Sequence, residues 1–557
     1  MKVSKNIAVN KGKFTTGGSR LESTKVKIRK EINMNTQKGI NVKKLLFGFA
    51  VLIVAAFMVA GLSSLSSVQA QVKPVKGGDI RIVTSVISPK DIGYIPEWGP
   101  ADFIAALPWA ERLVHWDEKG GFVPNLLESW KIDPKAKTIT FHIQKGVTFS
   151  DGAPFDAESL KANLDLNLKS GRILDGDLIK SVDIVDKDTV RLSATDLTSA
   201  AMLNYAFNIQ IVSVTAIEKN GKDWARANGI GTGPFKLVDF KRDNYLKYVK
   251  NNNYWRKGYP LLDSISYEFI PDPVTASMKM ENKEMDIWGD MGNVKMALDL
   301  QQKGFKVNWG PGMMDVLLPN TNKPRRPDSP LLKKEVREAI EYALDRPAMA
   351  KAIGFGQFEP LTQIVPSFSP AYNPGLNLRP YNPEKAKQLL AEAGYPNGFE
   401  VKLMTMPGLK DGATAIQSYL GAVGIRVNID IADAARYAAQ LFGPGGWDEL
   451  AFAASGIHPS GTDLYQHWGP RPATYRFDFI KKTPEYLATC DKALHTYEEK
   501  AMKKAMQDIA RKASEDCMVI PVYRSAQPYV MQPYVHTNWP KTHQIQWSTW
   551  EDWMEKH

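Results

Sequence analysis

The sequence predicts an α/β protein with more than one hydrophobic core. Residues 138–143 and 262–272 carry apolar side chains at every second position, which is the period of a half-buried strand. Residues 331–344 instead carry apolar side chains at the spacing of one helix face. Segments of these two kinds alternate along the chain, and a length of 557 residues allows two or three domains.

The predicted elements follow one another in a simple order. They are a strand at 77–86, a helix from Asp102, a hairpin at 183–192, a strand at 262–272, a helix-to-strand step at 279–287, a helix at 331–344, a helix from Asn382 to Gly394 and a buried strand at 450–454. Asn382 supplies an N-cap, Pro383 suits the first helical position and Gly394 suits the end.

Residues 126–160 form the most distinctive block. We predict a short helix, then a strand at 139–143, a tight turn at 150–152 and a helix that begins after Asp156. Asp156 supplies a capping oxygen, and the acidic residue in the first turn that follows favours a helix start. These features predict local structure and carry no information about function.

The distribution of charge excludes a nucleic-acid-binding surface. The formal net charge is +11, but residues 1–44 alone hold twelve Lys/Arg and two acids, and residues 45–70 hold no charge. The remaining chain has 59 basic and 58 acidic residues, a net charge of about +1.

The same N-terminal region predicts export. Lys43 and Lys44 precede the apolar run at 45–62, and a small-x-small exit ends at Ala70, so we expect a secretory signal cleaved after Ala70. The alternative is a retained membrane anchor, because eighteen apolar residues are just enough to span a bilayer. Met34 is a plausible true start. No cysteine follows the run, which excludes a lipoprotein anchor there.

Several blocks resemble family 5 (peptide/nickel type) solute-binding proteins of bacterial ABC transporters. The matching segments are ESW at 128–130, KGV at 145–147, FSDG at 149–152, AESL at 157–160, GTGPFKL at 231–237, NNYW at 252–255, ALDR at 343–346 and AGYPNGFEVKL at 393–403. A glycine common in a further family block is Asn282 here. The blocks span roughly residues 77–535, which makes the resemblance more specific than any single motif.

The resemblance implies a two-lobed periplasmic-binding-protein fold with a hinge. Lobe I would comprise residues 71–318 and 522–557, with an extra subdomain at about 116–228, and lobe II residues 319–521. The hinge crossings would lie near 316–321 and 519–523. Each of these two segments is equally readable as an ordinary core strand.

The resemblance also implies transport without catalysis. A monomer in the periplasm would capture a small ligand, a peptide or another small solute, and deliver it to an ABC transporter permease in the inner membrane, with no cofactor. No G-x-S-x-G, HExxH or P-loop motif occurs, and the eight histidines lack metal-ligand spacing, so no metal is expected. The alternatives are a membrane-tethered sensor with the same fold and, with less support, a secreted enzyme.

Two segments are candidates for ligand contact, one after the first strand and one in the glycine- and proline-rich loop within residues 447–468. The candidate residues are Thr84, Ser85, Tyr94, Trp98 and Trp109 in the first segment, and Ser455, Gly456, His458, Asp463 and Tyr465 in the second. Each aromatic side chain has an alternative role in the core.

The second segment departs from the family's peptide-binding pattern. In peptide-binding members an aspartate of this loop pairs with the ligand's amino terminus, whereas here Ser455–His458 occupies the stretch and the next acid is Asp463. Asp463 corresponds to a different aspartate of the family. His458 suggests a metal-chelate ligand, as in nickel-type members, although a lone histidine beside a proline can equally be a loop hydrogen-bonder.

Cys490 and Cys517 are the only cysteines in the chain. In an oxidising compartment two cysteines often form a disulfide, and an antiparallel helix pair could bring these two together. Two separate buried thiols are the alternative.

Overall fold

The computed structural model describes residues 73–556 apart from short gaps. The gaps are 85–87, 99, 118–119, 172, 290, 444, 457–460, 462–463, 465–467, 471–476 and 540–546. The predicted leader at 1–70 lies outside the described residues. Within them, no helix combines the length and apolar character that crossing a membrane requires.

The strands and helices of the described residues alternate along the chain. The strands are β1 (Asp79–Thr84), β2 (Val114–Trp116), β3 (Phe122–Pro124), β4 (Leu127–Asp133), β5 (Thr138–Ile143), β6 (Ile179–Asp186), β7 (Thr189–Ala194), β8 (Phe235–Lys241), β9 (Tyr245–Lys250), β10 (Ser264–Phe269), β11 (Ile287–Trp288), β12 (Lys306–Pro319), β13 (Glu359–Pro360), β14 (Phe399–Thr405), β15 (Ile425–Ile431), β16 (Leu450–Ser455), β17 (Ile520–Met531), β18 (Val535–His536) and β19 (Trp553–Met554). The helices are α1 (Pro100–Ala105), α2 (Ala157–Lys169), α3 (Val214–Asn220), α4 (Lys222–Ala225), α5 (Pro273–Glu281), α6 (Val294–Gln302), α7 (Lys334–Ala343), α8 (Arg346–Ile353), α9 (Pro383–Glu392), α10 (Lys410–Gly421), α11 (Ala434–Phe442), α12 (Pro484–Leu494) and α13 (Glu499–Glu515).

One mixed sheet organises most of the molecule. Its strand order is β15-β14-β16-β12-β17-β11-β1-β10-β9-β8, with β13 paired to β17 off this path. The strand β1 is parallel to β10 and β11, and β14 is parallel to β15 and β16, whereas β12 is antiparallel to both of its neighbours. The predicted α/β class is confirmed.

The long strands β12 and β17 connect the two halves of this sheet. Residues 308–311 pair with residues 526–529, and in the described pairings each stretch has no other partner strand. On one side β16 joins β12 from Met314 onward, and on the other side β11 joins β17 at Val530 and Met531. The segments predicted as crossings, 316–321 and 519–523, belong to these strands or directly adjoin them. Both segments lie near the end of the β12–β17 pair at which β16 also pairs with β12.

Both faces of the sheet are covered in each half. Val316 and Ala453 pack into one apolar cluster, while Leu317 and Phe452 pack into another. Because neighbouring strand residues point to opposite faces, these two clusters lie on opposite sides of the sheet. In the other half, Ile82 and Val83 divide in the same way between two further clusters.

Residues 126–160 contain one correction to the predicted elements. The short helix predicted at their start is wrong, because residues 127–133 form β4 in a separate sheet of order β4-β5-β7-β6. Antiparallel pairing sets Trp130 opposite Phe141 of β5 and satisfies the backbone there. The strand and the helix start are confirmed, and the side chain of Asp156 accepts from the amide of Ser159 at 3.0 Å.

The cysteines are separate buried thiols, so the disulfide suggested for Cys490 and Cys517 is not formed. Cys490 lies on α12 and packs in the cluster of Val316, whereas Cys517 follows α13 and packs in the cluster of Leu317 on the other face. The Cys517 thiol instead donates to Oε1 of Glu341 at 3.1 Å. The sheet that separates the two clusters explains why the helix pair does not join the sulfurs.

Candidate ligand-binding cleft

Strands from both halves of the main sheet end toward the crossing of β12 and β17. From one half, β1 and β11 run side by side toward it, since Trp288 pairs with both Val83 and Val530. From the other half, β16 runs toward it, since Ser455 pairs with Met314, and β14 lies parallel to β16. In open α/β sheets, ligands bind beyond the carboxyl ends of strands.

We define the cleft rim as Thr84, Thr405, Ser455 and Asp315. The first three are the last residues of β1, β14 and β16, and Asp315 lies opposite Ala454 where β12 enters the crossing. The rim therefore contains residues from both halves of the sheet. A solute held there would touch both halves.

Asp315 is the unusual group of the rim. Its residue is 1% exposed, and its Oδ1 atom has no hydrogen-bond partner among the described residues. Burial raises the pKa of this carboxyl well above its usual range, and the Ser525 hydroxyl opposes the shift only in part. A buried carboxyl without a cation is costly in its ionised form, which makes the position receptive to a cationic partner.

Two tyrosines surround the same carboxyl. Burial raises the pKa of Tyr437 and of Tyr523, and the charge of Asp315 adds to both shifts. Tyr437 lies on α11 and Tyr523 on β17, where it pairs with Asp315. Tyr437 and Tyr523 pack in the clusters on opposite faces of the sheet, and both lie close enough for the charge of Asp315 to act on them.

The nearby arginine of β17 is already engaged. Arg524 Nε donates to Oε2 of Glu359 at 2.8 Å. Burial opposes ionisation of Glu359, but hydrogen bonds from Ser367 and Arg524 keep its pKa below the usual value. Among the ion pairs of the described residues, none includes Asp315, so no cation offsets the effect of burial, which favours the protonated form of this carboxyl.

The structure places two of the predicted ligand residues at the rim itself and one beside it. Thr84 and Ser455 end β1 and β16, and Gly456 follows directly; Ser455 is 5% exposed, and its hydroxyl has no hydrogen-bond partner in the described part of the chain. Ligand contact by these residues remains a prediction. The predicted residues Ser85, His458, Asp463 and Tyr465 lie outside the described residues.

The other predicted aromatic residues lie away from the rim. Trp98 and Trp109 are each 1% exposed and pack edge to face with ring centroids 6.1 Å apart, within one apolar cluster. Tyr94 is half-buried, and the ammonium of Lys222 lies 5.1 Å from the centre of its ring. The core role that the sequence allowed for the two tryptophans is the one that they occupy in this conformation.

Neither Asp315 nor Tyr437 is among the ligand residues predicted from the sequence. One signal was available for Asp315, because it is a single acid at the start of an otherwise apolar segment, MDVLLP. Nothing local marks Tyr437, which reaches the rim only through the packing of α11. No cluster of three or more His, Cys, Asp or Glu side chains suited to a metal occurs among the described residues.

Known sequences match this chain over more than half of its length. The family model "Bacterial extracellular solute-binding proteins, family 5 Middle" matches residues 121–466. The glutathione-binding protein GsiB of Shigella dysenteriae serotype 1 is 30% identical over 408 residues, which cover 69% of this chain and 77% of that protein.

Solved structures show the same fold. The binding protein AgaA of A. tumefaciens R10, in complex with agropinic acid, aligns with a TM-score of 0.72 and 26% identity over 86% of this chain and 99% of its own. NikA of Brucella suis, in complex with Fe(III)-EDTA, aligns with a TM-score of 0.74 and 22% identity over 85% and 100%. The chain therefore has the two-lobed fold of periplasmic binding proteins and belongs to the family 5 extracellular solute-binding proteins of ABC transporters.

Proposed function

We propose that this chain captures a small peptide or peptide-like solute with a cationic amine and that Asp315 holds that amine. The observation that carries the proposal is the buried, cation-free carboxyl at the rim. Pairing an ammonium with this carboxylate would satisfy the unpartnered Oδ1 with a charge-assisted hydrogen bond.

The position of Asp315 fits the departure seen in the loop after β16. That loop lacks an acid where peptide-binding members carry one, whereas Asp315 lies on the adjacent strand, opposite Ala454. We propose that the carboxylate has moved from the loop to the neighbouring strand. The similarity to glutathione-binding proteins supports a peptide-like ligand, since glutathione carries a free amino group.

Capture would proceed by closure of two lobes. The proposed lobes are residues 71–318 with 522–557, including a subdomain at about 116–228, and residues 319–521. They would rotate about the stretch where β12 and β17 pair only with each other, at 308–311 and 526–529, so residues 312–318 and 522–525 would move with the second lobe. A solute that touches both sides of the rim binds the closed form better and shifts the population toward it.

The proposal also includes export of the chain to the periplasm and delivery of its solute to a permease. A signal peptide ending at Ala70 would export the chain to the periplasm, where the monomer would pass its solute to an ABC permease in the inner membrane. Sequencing the N-terminus of the exported protein tests whether the signal peptide is cleaved. A start at Gln71 agrees with release, and an intact run at 45–62 would instead support the membrane-tethered sensor. Turnover of a bound compound would support an enzyme.

The ligand assignment is tested by mass spectrometry of whatever co-purifies with the native protein. We expect a compound with a protonated amine, retained by wild type and by the exposed control variant Asp328→Asn. Asp315→Asn should lose about 10- to 100-fold in affinity for that compound, because the ion pair between ammonium and carboxylate is replaced by a weaker hydrogen bond from the ammonium to a neutral amide oxygen. A retained compound without a cationic nitrogen, or unchanged affinity in Asp315→Asn, would refute the assignment.

A further inference from the structure

A small cavity separate from the cleft rim lies between the segment that follows α1 and the C-terminal segment. Its volume is about 20 Å³, and its walls include Glu111, Arg112 and His115 on one side and Trp547 and Trp550 on the other. None of the rim residues lines it. A cavity of this size holds one water molecule or one monatomic ion.

Buried polar atoms of the cavity walls lack partners. Arg112 is 3% exposed; its Nη1 donates to the carbonyl of Phe207, but its Nε and Nη2 have no hydrogen-bond partner among the described residues. The Nε2 atom of His115 is also without a partner in that part of the chain, and its ring meets Trp550 edge to face with centroids 5.7 Å apart. Buried guanidinium donors are normally satisfied, so these atoms indicate a missing acceptor.

Glu111 is the one acid among the described residues of the cavity wall, and both of its oxygens already accept hydrogen bonds. Oε1 of Glu111 accepts from the Tyr254 hydroxyl at 2.8 Å, and Oε2 accepts from Nε1 of Trp255 at 2.9 Å. The ion pairs formed by the described residues do not include Arg112. Its guanidinium carbon lies 4.5 Å from the centre of the Phe207 ring, which supplies a π face but no counter-charge.

The local charge is positive. Burial lowers the pKa of Arg112 to about 9, so the side chain remains charged at neutral pH. A second cation, Arg256, stacks on Trp255 and Trp550, with distances of 4.1 and 4.7 Å to the ring centres. Burial, followed by the charges of Arg112 and Arg256, lowers the pKa of His115 to about 3, so the imidazole is neutral. Two acids lie near these cations, Glu111 in the wall and Asp552, whose carboxyl oxygen accepts from Nε1 of Trp547 at 2.7 Å. Burial raises the pKa of both carboxyls, which favours their neutral forms.

We propose that this cavity is a binding site for a monatomic anion of the halide class, held by the free donors of Arg112 beside His115. A volume of about 20 Å³ fits a monatomic ion better than a phosphate or a carboxylate ligand, and the positive charge of Arg112 favours an anion over water. The anion would tie the segment after α1 to the C-terminal residues that pack on it. The site is independent of the solute in the cleft.

Bromide provides the direct test, because it scatters anomalously. In wild-type crystals grown in bromide, we expect an anomalous peak in contact with Nε or Nη2 of Arg112. In solution, bromide or chloride should raise the melting temperature saturably relative to gluconate at equal ionic strength.

Arg112→Met should abolish this halide-specific rise, whereas the exposed control Arg242→Met should keep it. If Arg112→Met fails to fold, the wild-type anomalous map alone decides the question. A water peak without anomalous signal in bromide, or equal melting temperatures in halide and gluconate, would overturn the proposal.

Discussion

Asp315 of β12 pairs in register with Tyr523 of β17, so a fully buried carboxyl and a buried phenol lie side by side where the two halves of the sheet meet. Burial disfavours ionisation of both, and the charge of Asp315 adds to the rise in the pKa of Tyr523. Ionising this carboxyl without a cation beside it lowers the free energy of unfolding of the unliganded protein.

Asp315 should make the unliganded protein less stable as the pH rises. Its pKa in the folded state lies above the ordinary value of 3.8, so the folded state binds the proton more tightly than the unfolded state. Stability therefore falls as the pH rises from about 4 through the raised pKa. Urea unfolding across this range should show a steeper loss for wild type than for Asp315→Asn. Parallel pH profiles for the two proteins would contradict this account.

Gly231 should not tolerate a side chain. A Cβ atom there would lie 2.2 Å from the carbonyl oxygen of Trp109 and 2.9 Å from its ring. Since both belong to the core, Gly231→Ala should cost about 1–3 kcal/mol in the free energy of unfolding. Gly292→Ala is the control, because its Cβ would meet nothing within 4 Å. Equal stability of the two variants in denaturant titrations would argue against this packing.

We expect Glu341 to contribute strongly to the free energy of unfolding. It lies 3.5 Å from both Arg346 and Arg379, and all three side chains are nearly fully buried. Glu341→Gln would leave the buried Arg346 without the carboxylate that it pairs with, whereas Arg379 would keep Glu338 at 2.7 Å, and we expect a cost of about 3–5 kcal/mol. The exposed Glu335→Gln on the same helix should change stability little. A midpoint of urea unfolding in Glu341→Gln close to that of Glu335→Gln would rule this network out as a major stabiliser.

We expect neither cysteine to react with thiol reagents until the protein unfolds. Burial raises the pKa of Cys490 to about 12 and that of Cys517 well above its usual value, so little thiolate is present in the folded state. We expect no labelling of the native protein and two labelled thiols per chain in denaturant without reductant. If neither thiol reacts in denaturant, a disulfide is present after all.

Local signals predicted those parts of the fold that local interactions determine. The helices α2 and α9 begin as predicted, because Asp156 and Asn382 cap them through side-chain contacts three residues away. The helix predicted in place of β4 is wrong because β4 is stabilised by pairing with β5. The paired residues, such as Trp130 and Phe141, are too far apart for a short window of sequence to contain both.

The candidate site was less predictable for the same reason. Thr84 and Ser455 could be predicted as candidates because each lies at the end of a recognisable strand. Asp315 matters because it is buried and lacks a cation, and both properties arise from tertiary packing. Its residue type alone predicts neither of them.

We propose that a solute bound at the rim closes two lobes about the β12–β17 crossing. Small-angle X-ray scattering of the exported protein, before and after saturation with the co-purified solute, tests it most directly. We expect the radius of gyration to fall on saturation of wild type, and to fall for Asp315→Asn only at higher solute concentration. An unchanged radius at saturating solute, with binding confirmed in the same sample, would contradict closure.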